Sequence, residues 1–391
     1  MKFLRRNSFL IPTALICHAT VQAADFSIGV APGARFRVVY DWSKEHCREW
    51  DVPDAPLRAF RSATGDVVAF ASSDENEMYE GHSLNDIRQT CHSSLPSQEN
   101  ADPSQYSGSR FITATWTDDG RRVFALIHNE YHADRFHRCA FSSSMACWYT
   151  TIIAASSKDS GKSFSVSTPP EIVAGVPYRQ EVEQGRHRGF FNPSNIVRAG
   201  QYWYMLTDTT GLGSQKPGLC LFRTADIQDP TSWRGYDGAG FTARGIDAYR
   251  QDPAQYTPCK PVDNLSTIGS ISLHRPSGRF LAVLQGPDTD RKDGQIAFSW
   301  SDDLIHWEKP RNLLAISDMS SKNCSDDLRY GYPSVLDPDS PARNFDVIGD
   351  TPMLFLTRFH VSDCAMTSNR DLLKIGLEIL PHVDQSARAK Q

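Results

Sequence analysis

Apolar residues in this chain come in short β-branched and aromatic runs, each broken by Gly, Asp, Asn or Pro, and sustained helical periodicity is almost absent. Leu57-Arg58-Ala59-Phe60 is followed by a Thr64-Gly65-Asp66 turn and then Val67 to Ala71. Arg110 to Trp116 turns at Asp118-Asp119-Gly120 into Val123 to Ile127. Pro193 to Val197 turns at Ala199-Gly200 into Tyr202 to Leu206, and Ile268 to Leu273 turns at Pro276-Ser277-Gly278 into Phe280 to Leu284. Tyr332 to Leu336, Pro352 to Thr357 and Leu372 to Ile379 complete the series. Each pair reads as two antiparallel strands joined by a tight turn.

These pairs belong to a longer unit that recurs about five times: apolar strand, turn, aromatic-rich strand, polar cluster, third strand, then Ser-x-Asp leading to Trp or Phe. The plainest endings are Ser157-Lys158-Asp159-Ser160-Gly161-Lys162-Ser163-Phe164 and Ser301-Asp302-Asp303-Leu304-Ile305-His306-Trp307, with a looser one from Thr224 to Trp233. Such a repeat predicts an all-β fold, a five-bladed β-propeller of four-stranded antiparallel blades, forming a single domain over residues 24–391. Residues 24–40, with Arg35 to Tyr40, are expected to supply the outer strand of the last blade and latch the ring. In the repeated ending the Asp carboxylate caps amides of a turn and the aromatic packs between blades, so Asp159 and Asp303 read as structural.

The first 23 residues read as a secretory signal, with Lys2, Arg5 and Arg6, an apolar stretch from Phe9 to Val21, and Val21-Gln22-Ala23 before cleavage. The stretch is too short, and too broken by Pro12 and His18, to span a bilayer. A secreted or periplasmic protein is expected, with no membrane partner. Beyond Cys17, eight cysteines remain, an even number that reads as four disulfides. If each bridge is local to its blade, the pairs are 47–91, 139–147, 220–259 and 324–364; zinc is the rival reading, and no ligand spacing supports it. Loss of Lys2, Arg5 and Arg6 takes the formal charge from −5 to −8, which argues against nucleic acid as a partner. A monomer is expected.

In a propeller, the loops entering innermost strands and those leaving second strands share one face. Asp54, Ser109, Asn192, Ser266 to Gly269 and Tyr332 enter; Ser73 to Glu77, His128 to His132, Thr207 to Thr209, Gln285 to Asp288 and Arg358 to His360 leave. Every leaving position is polar, whereas the turns of the opposite face are short and plain, as for a scaffold with one functional mouth. The densest cluster is His128-Asn129-Glu130-Tyr131-His132, with Glu130 as candidate proton donor tuned by a flanking His or Tyr. A hydrogen-bonded structural loop is the bland alternative.

The Ser157 to Phe164 segment resembles the Asp-box of sialidase-type propellers. Ser301 to Trp307, Asn192-Pro193-Ser194 and Tyr332-Pro333-Ser334-Val335-Leu336-Asp337 look like five-bladed glycosidases of the arabinanase, xylosidase and invertase type. In those families the first blade opens on a carboxylate that acts as base or nucleophile, which the resemblance transfers to Asp54, with Asp74 and Glu75 as rivals. Ala55 stands where those families read Pro, and Asn192 stands where a second Asp is expected. Asp208, after Tyr202 to Thr207, is the candidate third acid. The resulting catalytic set is Glu130, Asp54 and Asp208. Arg58, Asp74, His128, Asn129, Tyr131, His132, Asn192, Tyr332, Arg358 and His360 are candidates to bind substrate. Arg58, Arg110 and Arg358 could instead form a three-arginine carboxylate clamp, and Trp148, Tyr149, Trp203 and Tyr332 could stack on sugars.

Three functions fit this face: a secreted glycoside hydrolase acting through two carboxyls, a polysaccharide lyase using His128 or His132 with Tyr131 and an arginine on a uronate, and a non-catalytic glycan-binding propeller. Carbohydrate is the partner in each. No nucleotide loop, His-Glu-x-x-His or Gly-x-Ser-x-Gly occurs. No cofactor is expected and no catalytic metal; a structural calcium near Asp74 to Glu77 is the one ion considered.

Overall fold

Most strands pair antiparallel with a sequence neighbour, and tight turns such as 62–66 and 275–278 join the first two strands of a sheet. The computed structural model describes residues 26–180, 184–286 and 295–381. The expected signal segment lies outside them, as do Pro287 and Asp288. The described chain is nearly all β; its one α-helix is the single turn Trp42–Glu45.

Arg58–Arg61, Val67–Phe70, Glu77–Gly81 and Arg88–Ser93 form a four-stranded meander. Ser109–Trp116, Val123–His132 and Trp148–Ser157 form the next, with Ile172–Ala174 on its edge. Tyr202–Thr209 then pairs with Arg188–Phe191 and Val197–Ala199 on one side and Gly218–Thr224 on the other, with Arg234–Tyr236 and Phe241–Ala243 beyond. A parallel contact of Arg188 and Gly189 with Tyr149 and Thr150 fuses these last two groups into one ten-stranded sheet. Gly189 permits it: φ is 121°, and a Cβ there would strike the Thr150 carbonyl. Ile268–His274, Arg279–Gly286, Gln295–Ser301 and Arg311–Ala315 follow, with Val347–Ile348 beside the first of them.

The final sheet contains Leu328–Leu336, Met353–Ser362 and Ala365–Pro381. The last strand is 17 residues long, and two N-terminal strands share its outer edge: Phe26–Val30 opposite Leu377 to Pro381, and Arg37–Tyr40 opposite Leu372 to Lys374. The expected latch is therefore present, in two pieces.

Apolar faces of adjacent sheets meet in a regular way. Phe164 shares a core cluster with Phe60 and Phe70 of the preceding sheet, Trp307 one with Val197 and Leu206, and Trp233 joins Leu126 and Ile152 between the two halves of the ten-stranded sheet. Asp159 and Asp303 cap the turns before these aromatics, accepting from the Ser163 amide at 2.9 Å and the His306 amide at 2.8 Å respectively. The cysteines pair 47–91, 139–147, 220–259 and 324–364, the local pattern, which suits an oxidising compartment.

Where innermost strands converge sits Arg58, 2 % exposed. Its Nε donates to the Thr113 carbonyl at 2.6 Å and its Nη2 to the carbonyls of Pro193 and Gly269 at 3.2 and 2.8 Å. One guanidinium thus ties its own strand to three other segments. Arg58 is consequently corrected from a substrate ligand to an internal cross-link. Arg58→Met should lower unfolding free energy by about 3 kcal/mol, through lost charged hydrogen bonds and orphaned carbonyls. A urea titration places the effect; a loss below about 0.5 kcal/mol would contradict the cross-link.

Candidate active site

The polar cluster read as a loop is the end of a strand, Val123–His132, whose ladder to Trp148–Ser157 continues through Glu130, Tyr131 and His132. Strand side chains alternate faces. His128, Glu130 and His132 line a cavity of about 580 Å³. Asn129 and Tyr131 point away: the Asn129 amide reaches the Ser109 carbonyl, and the Tyr131 hydroxyl donates to the Ala101 carbonyl at 3.0 Å. Both are removed from the set of substrate contacts, and Tyr131 cannot serve as a lyase acid.

The Glu130 carboxyl meets His132 Nε2 at 2.9 Å with one oxygen and stands 3.5 Å from His128 Nε2 with the other. Burial pushes its pKa up, the His132 hydrogen bond pulls it back, and the negative charge of Asp54 and Asp74 raises it further. Both flanking elements are built to stay put. Burial pushes the His128 imidazole down to about 3, so it stays neutral; the Asn192 side chain bonds it. The His132 ring stacks on Trp148 with centroids 5.7 Å apart, and Trp148 stacks on His187 at 4.0 Å. His187, whose pKa burial also pushes down to about 3, is fixed by Thr150 Oγ1 at 2.9 Å. Both faces of Trp148 are therefore covered, and it offers a sugar only its edge.

Asp54 faces the same cavity and forms an ion pair with Arg370, while the Tyr332 hydroxyl donates to it at 3.1 Å. Tyr332 and Asn192 both line the cavity, both precede a Pro-Ser pair, and both have left-handed backbones, φ 54° and 47°. A bulky residue held there stores strain of order 1–3 kcal/mol, which packing around it must offset. Asp74 lines the wall beside Ser109 and Arg135.

Other candidates are not brought together. Asp208 is buried outside the cavity lining, its carboxyl accepting from the Ile268 amide with Oδ2 unpartnered; burial pushes it up to about 7. Its strand runs through Thr209, so the position is interior sheet rather than mouth. Arg358 and His360 both hold Asp371, at 2.7 and 3.0 Å. With Arg110 donating to the Tyr106 carbonyl and Arg58 committed at the strand crossing, no three-arginine clamp forms. Tyr149 and Trp203 sit in the core cluster instead of the lining. Glu75 pairs with Arg48 at 2.7 Å, and Glu77, bonded by Ser73, stands 3.9 Å from the same guanidinium, so these two carboxyls meet Arg48 outside the cavity lining while Asp74 faces the cavity. Among the described residues no group of three or more His, Cys, Asp or Glu is arranged for a metal ion.

Arg370 and Arg135 escaped sequence reading. Arg370 precedes the apolar run of the last strand and carries no motif; only the extension of that strand to Ala365 delivers it to Asp54. Arg135 lies one turn after His132 in a 3-10 segment, where the cluster's polarity could have flagged it.

No family model matches the sequence, and no curated protein matches it. Solved structures resemble it at low identity. An α-L-arabinofuranosidase of Podospora anserina in complex with cellotriose is 9% identical, with 88% of this chain and 95% of that one covered and a TM-score of 0.48. An α-L-arabinanase of Cellvibrio cellulosa complexed with arabinohexaose is 12% identical over 81% and 90%, TM-score 0.44. For a Bombyx mori GH32 β-fructofuranosidase, 10% identical with a TM-score of 0.48, 89% of this chain spans 63% of that protein. The likeness falls on the glycosidase group that the sequence resembles; at these scores it decides nothing about activity.

The buried Asp208 makes a separate prediction. Its folded pKa, about 7, lies above the ordinary 3.8, so the neutral form favours folding below pH ~4 and that advantage is lost as pH rises to about 7. Asp208→Asn should therefore gain stability over the parent chain as pH goes from about 4 to 8. Denaturation midpoints at the two pH values measure it; an unchanged difference would mean Asp208 is not buried as a neutral acid.

Proposed function

We propose that this protein is a secreted, monomeric glycoside hydrolase, carried on five antiparallel modules read as propeller blades, with Glu130 as general acid and Asp54 as base or nucleophile. The carrying observation is the pairing of unlike carboxyls in one cavity: Glu130 buried, raised and held by His132, and Asp54 ion-paired with Arg370. A carboxyl kept protonated by burial and a second carboxyl held by a cation in the same cavity suit the acid and base roles.

In the proposed reaction Glu130 gives its proton to the glycosidic oxygen as the C1–O bond breaks. Asp54 either takes a proton from the attacking water or itself attacks C1, to be released by water in a second step. Tyr332 and Arg370 orient the Asp54 carboxylate. His132 orients Glu130 and tunes its proton. The lyase reading finds less support, since Tyr131 faces away and the candidate arginines are engaged elsewhere.

Glu130→Gln should cut hydrolysis of an unactivated glycoside by about 10²–10⁴-fold. A nitrophenyl glycoside, whose leaving group needs little protonation, should lose far less. Equal losses on both substrates, measured as kcat/KM, would remove Glu130 from the acid role.

His132→Gln should shift the alkaline limb of the kcat/KM profile to higher pH, because the contact pulling the Glu130 pKa down is lost. A limb that stays in place, or moves to lower pH, would assign the titration to another group.

A further inference from the structure

Asp74 and Arg135 have no part in the proton transfers just described, yet both line the cavity. Ser109 stands between them. Its hydroxyl accepts from Arg135 Nη1 at 3.1 Å and also contacts the Asp74 carboxyl, where it offsets part of the upward push of burial. One Asp74 oxygen, Oδ1, is buried with no hydrogen-bond partner. Beyond Ser109, the Arg135 guanidinium makes no other hydrogen bond or ion pair among the described residues. The cavity wall thus presents an acceptor and a fork of donors side by side, joined through one hydroxyl.

We infer that Asp74, Ser109 and Arg135 form the specificity-determining subsite of this cavity, and that it selects a neutral sugar bearing two adjacent free hydroxyls. One sugar hydroxyl donates to Asp74, and its neighbour accepts from Arg135. A carboxylate alone would read a single hydroxyl, and an arginine alone would equally take a uronate or sulfate. Together they favour the neutral diol, because Asp74 repels an anion brought to Arg135 and Asp54 shares the same enclosure. Removing the hydroxyl that Asp74 receives leaves a mostly buried carboxyl without its partner, the situation in which a site discriminates most strongly, whereas exposed Arg135 can turn to water and adds a weaker preference. The inference rests on the glycosidase reading only for the direction of catalysis; the subsite would bind a sugar whether or not it is then cleaved.

The test uses the full chain with Glu130→Gln, so that nothing is turned over, titrated by calorimetry with L-arabinose, D-xylose, D-galactose and D-fructose. D-galacturonate and D-glucuronate are the anionic arm, and the deoxy counterparts of any sugar that binds are the diol arm. A neutral sugar should bind and the uronates should not. Asp74→Asn should weaken that sugar about 10–100-fold, the effect of losing one charged hydrogen-bonding partner, and Arg135→Met, at an exposed position, about 5–10-fold. The same substitutions should change affinity for the matching deoxy sugar less than about threefold, because the lost contact has no group to make it. Thermal midpoints of both variants within a degree or so of the parent rule out misfolding.

Binding of a uronate more tightly than the neutral sugars overturns the inference, as does no binding of any sugar at about 50 mM, or equal losses on parent and deoxy sugars. The two readings fail separately. Sugar binding with these dependencies but no hydrolysis of any glycan by the unmutated chain removes the hydrolase and keeps the subsite. Hydrolysis with kcat/KM unchanged by Asp74→Asn and Arg135→Met does the reverse.

Discussion

A sheet protein whose innermost strands converge has to do something with carbonyls that no neighbouring strand can satisfy. Here the solution is a cation. Arg58 donates to carbonyls at Thr113, Pro193 and Gly269 from a site with almost no exposure, and burial lowers its pKa to about 9 without discharging it at neutral pH. Its attachments are also the cavity's foundations: Thr113 lines the cavity, and Asn192, next to Pro193, bonds His128. Side-chain amides make the same kind of join further out. Asn76 clasps the Arg110 carbonyl and the Ile112 amide, and Asn195 the Ile271 carbonyl and amide, each bonding both backbone groups of a strand in the next sheet. Such joins offset the desolvation of the groups they pair and cannot slip by one residue without losing both bonds.

The acid side of the cavity is organised by conflict between burial and partners. Glu130 left alone in that enclosure would hold its proton too strongly to release it, and a donor facing its carboxyl pulls the pKa back. The structure offers His132 as the moderating partner and keeps two further imidazoles, His128 and His187, neutral by burial. Neutral rings can pack and donate without adding charge that would drain the acid of its proton. Trp148 between His132 and His187 makes the arrangement stiff, since a ring stacked on both faces cannot rotate away.

Much of this was legible from the chain, and what was not has a physical cause. Turn chemistry and apolar runs located the strands, because those depend on neighbours in sequence; the N-terminal edge strands, paired with residues 372–381, and the cysteine pairs followed from the repeat instead. Asp54, Asp74, His128, Glu130, His132, Asn192 and Tyr332 line one cavity, where the reading of strand ends on one face brings them together. Asn129 and Tyr131 were misjudged for a single reason: the strand continues through His132, so period-two alternation applies where a loop was assumed. Asp208 failed in the same way, on the strand Tyr202–Thr209. Arg58 and Arg358 do stand near strand ends, but each guanidinium is already engaged, and a sequence does not show whether a backbone carbonyl or a carboxylate claims it.

The two left-handed residues before proline carry that limit one step further. Proline steers the preceding residue towards extended backbone, so sequence alone would place the Asn192 and Tyr332 side chains in the plane of ordinary strands. Instead each has positive φ; at Tyr332 the ladder to Met353–Ser362 shifts register between Gly331 and Ser334. The shift re-aims the side chain, which a bulge does at the expense of pairing. It is tolerated because the flanking groups are spoken for. Gln285 accepts the Tyr332 amide at 2.8 Å, Ser270 Oγ accepts the Val335 amide at 2.9 Å, and Gly269 leaves room for the Pro333 carbonyl where any Cβ would collide. Local preference is thus overruled from three sides at once, and the outcome is a phenol hydroxyl delivered to Asp54. Where the cavity's wall needed a direction that regular strands do not provide, the chain obtained it by distorting the backbone and surrounding the distortion with fixed partners.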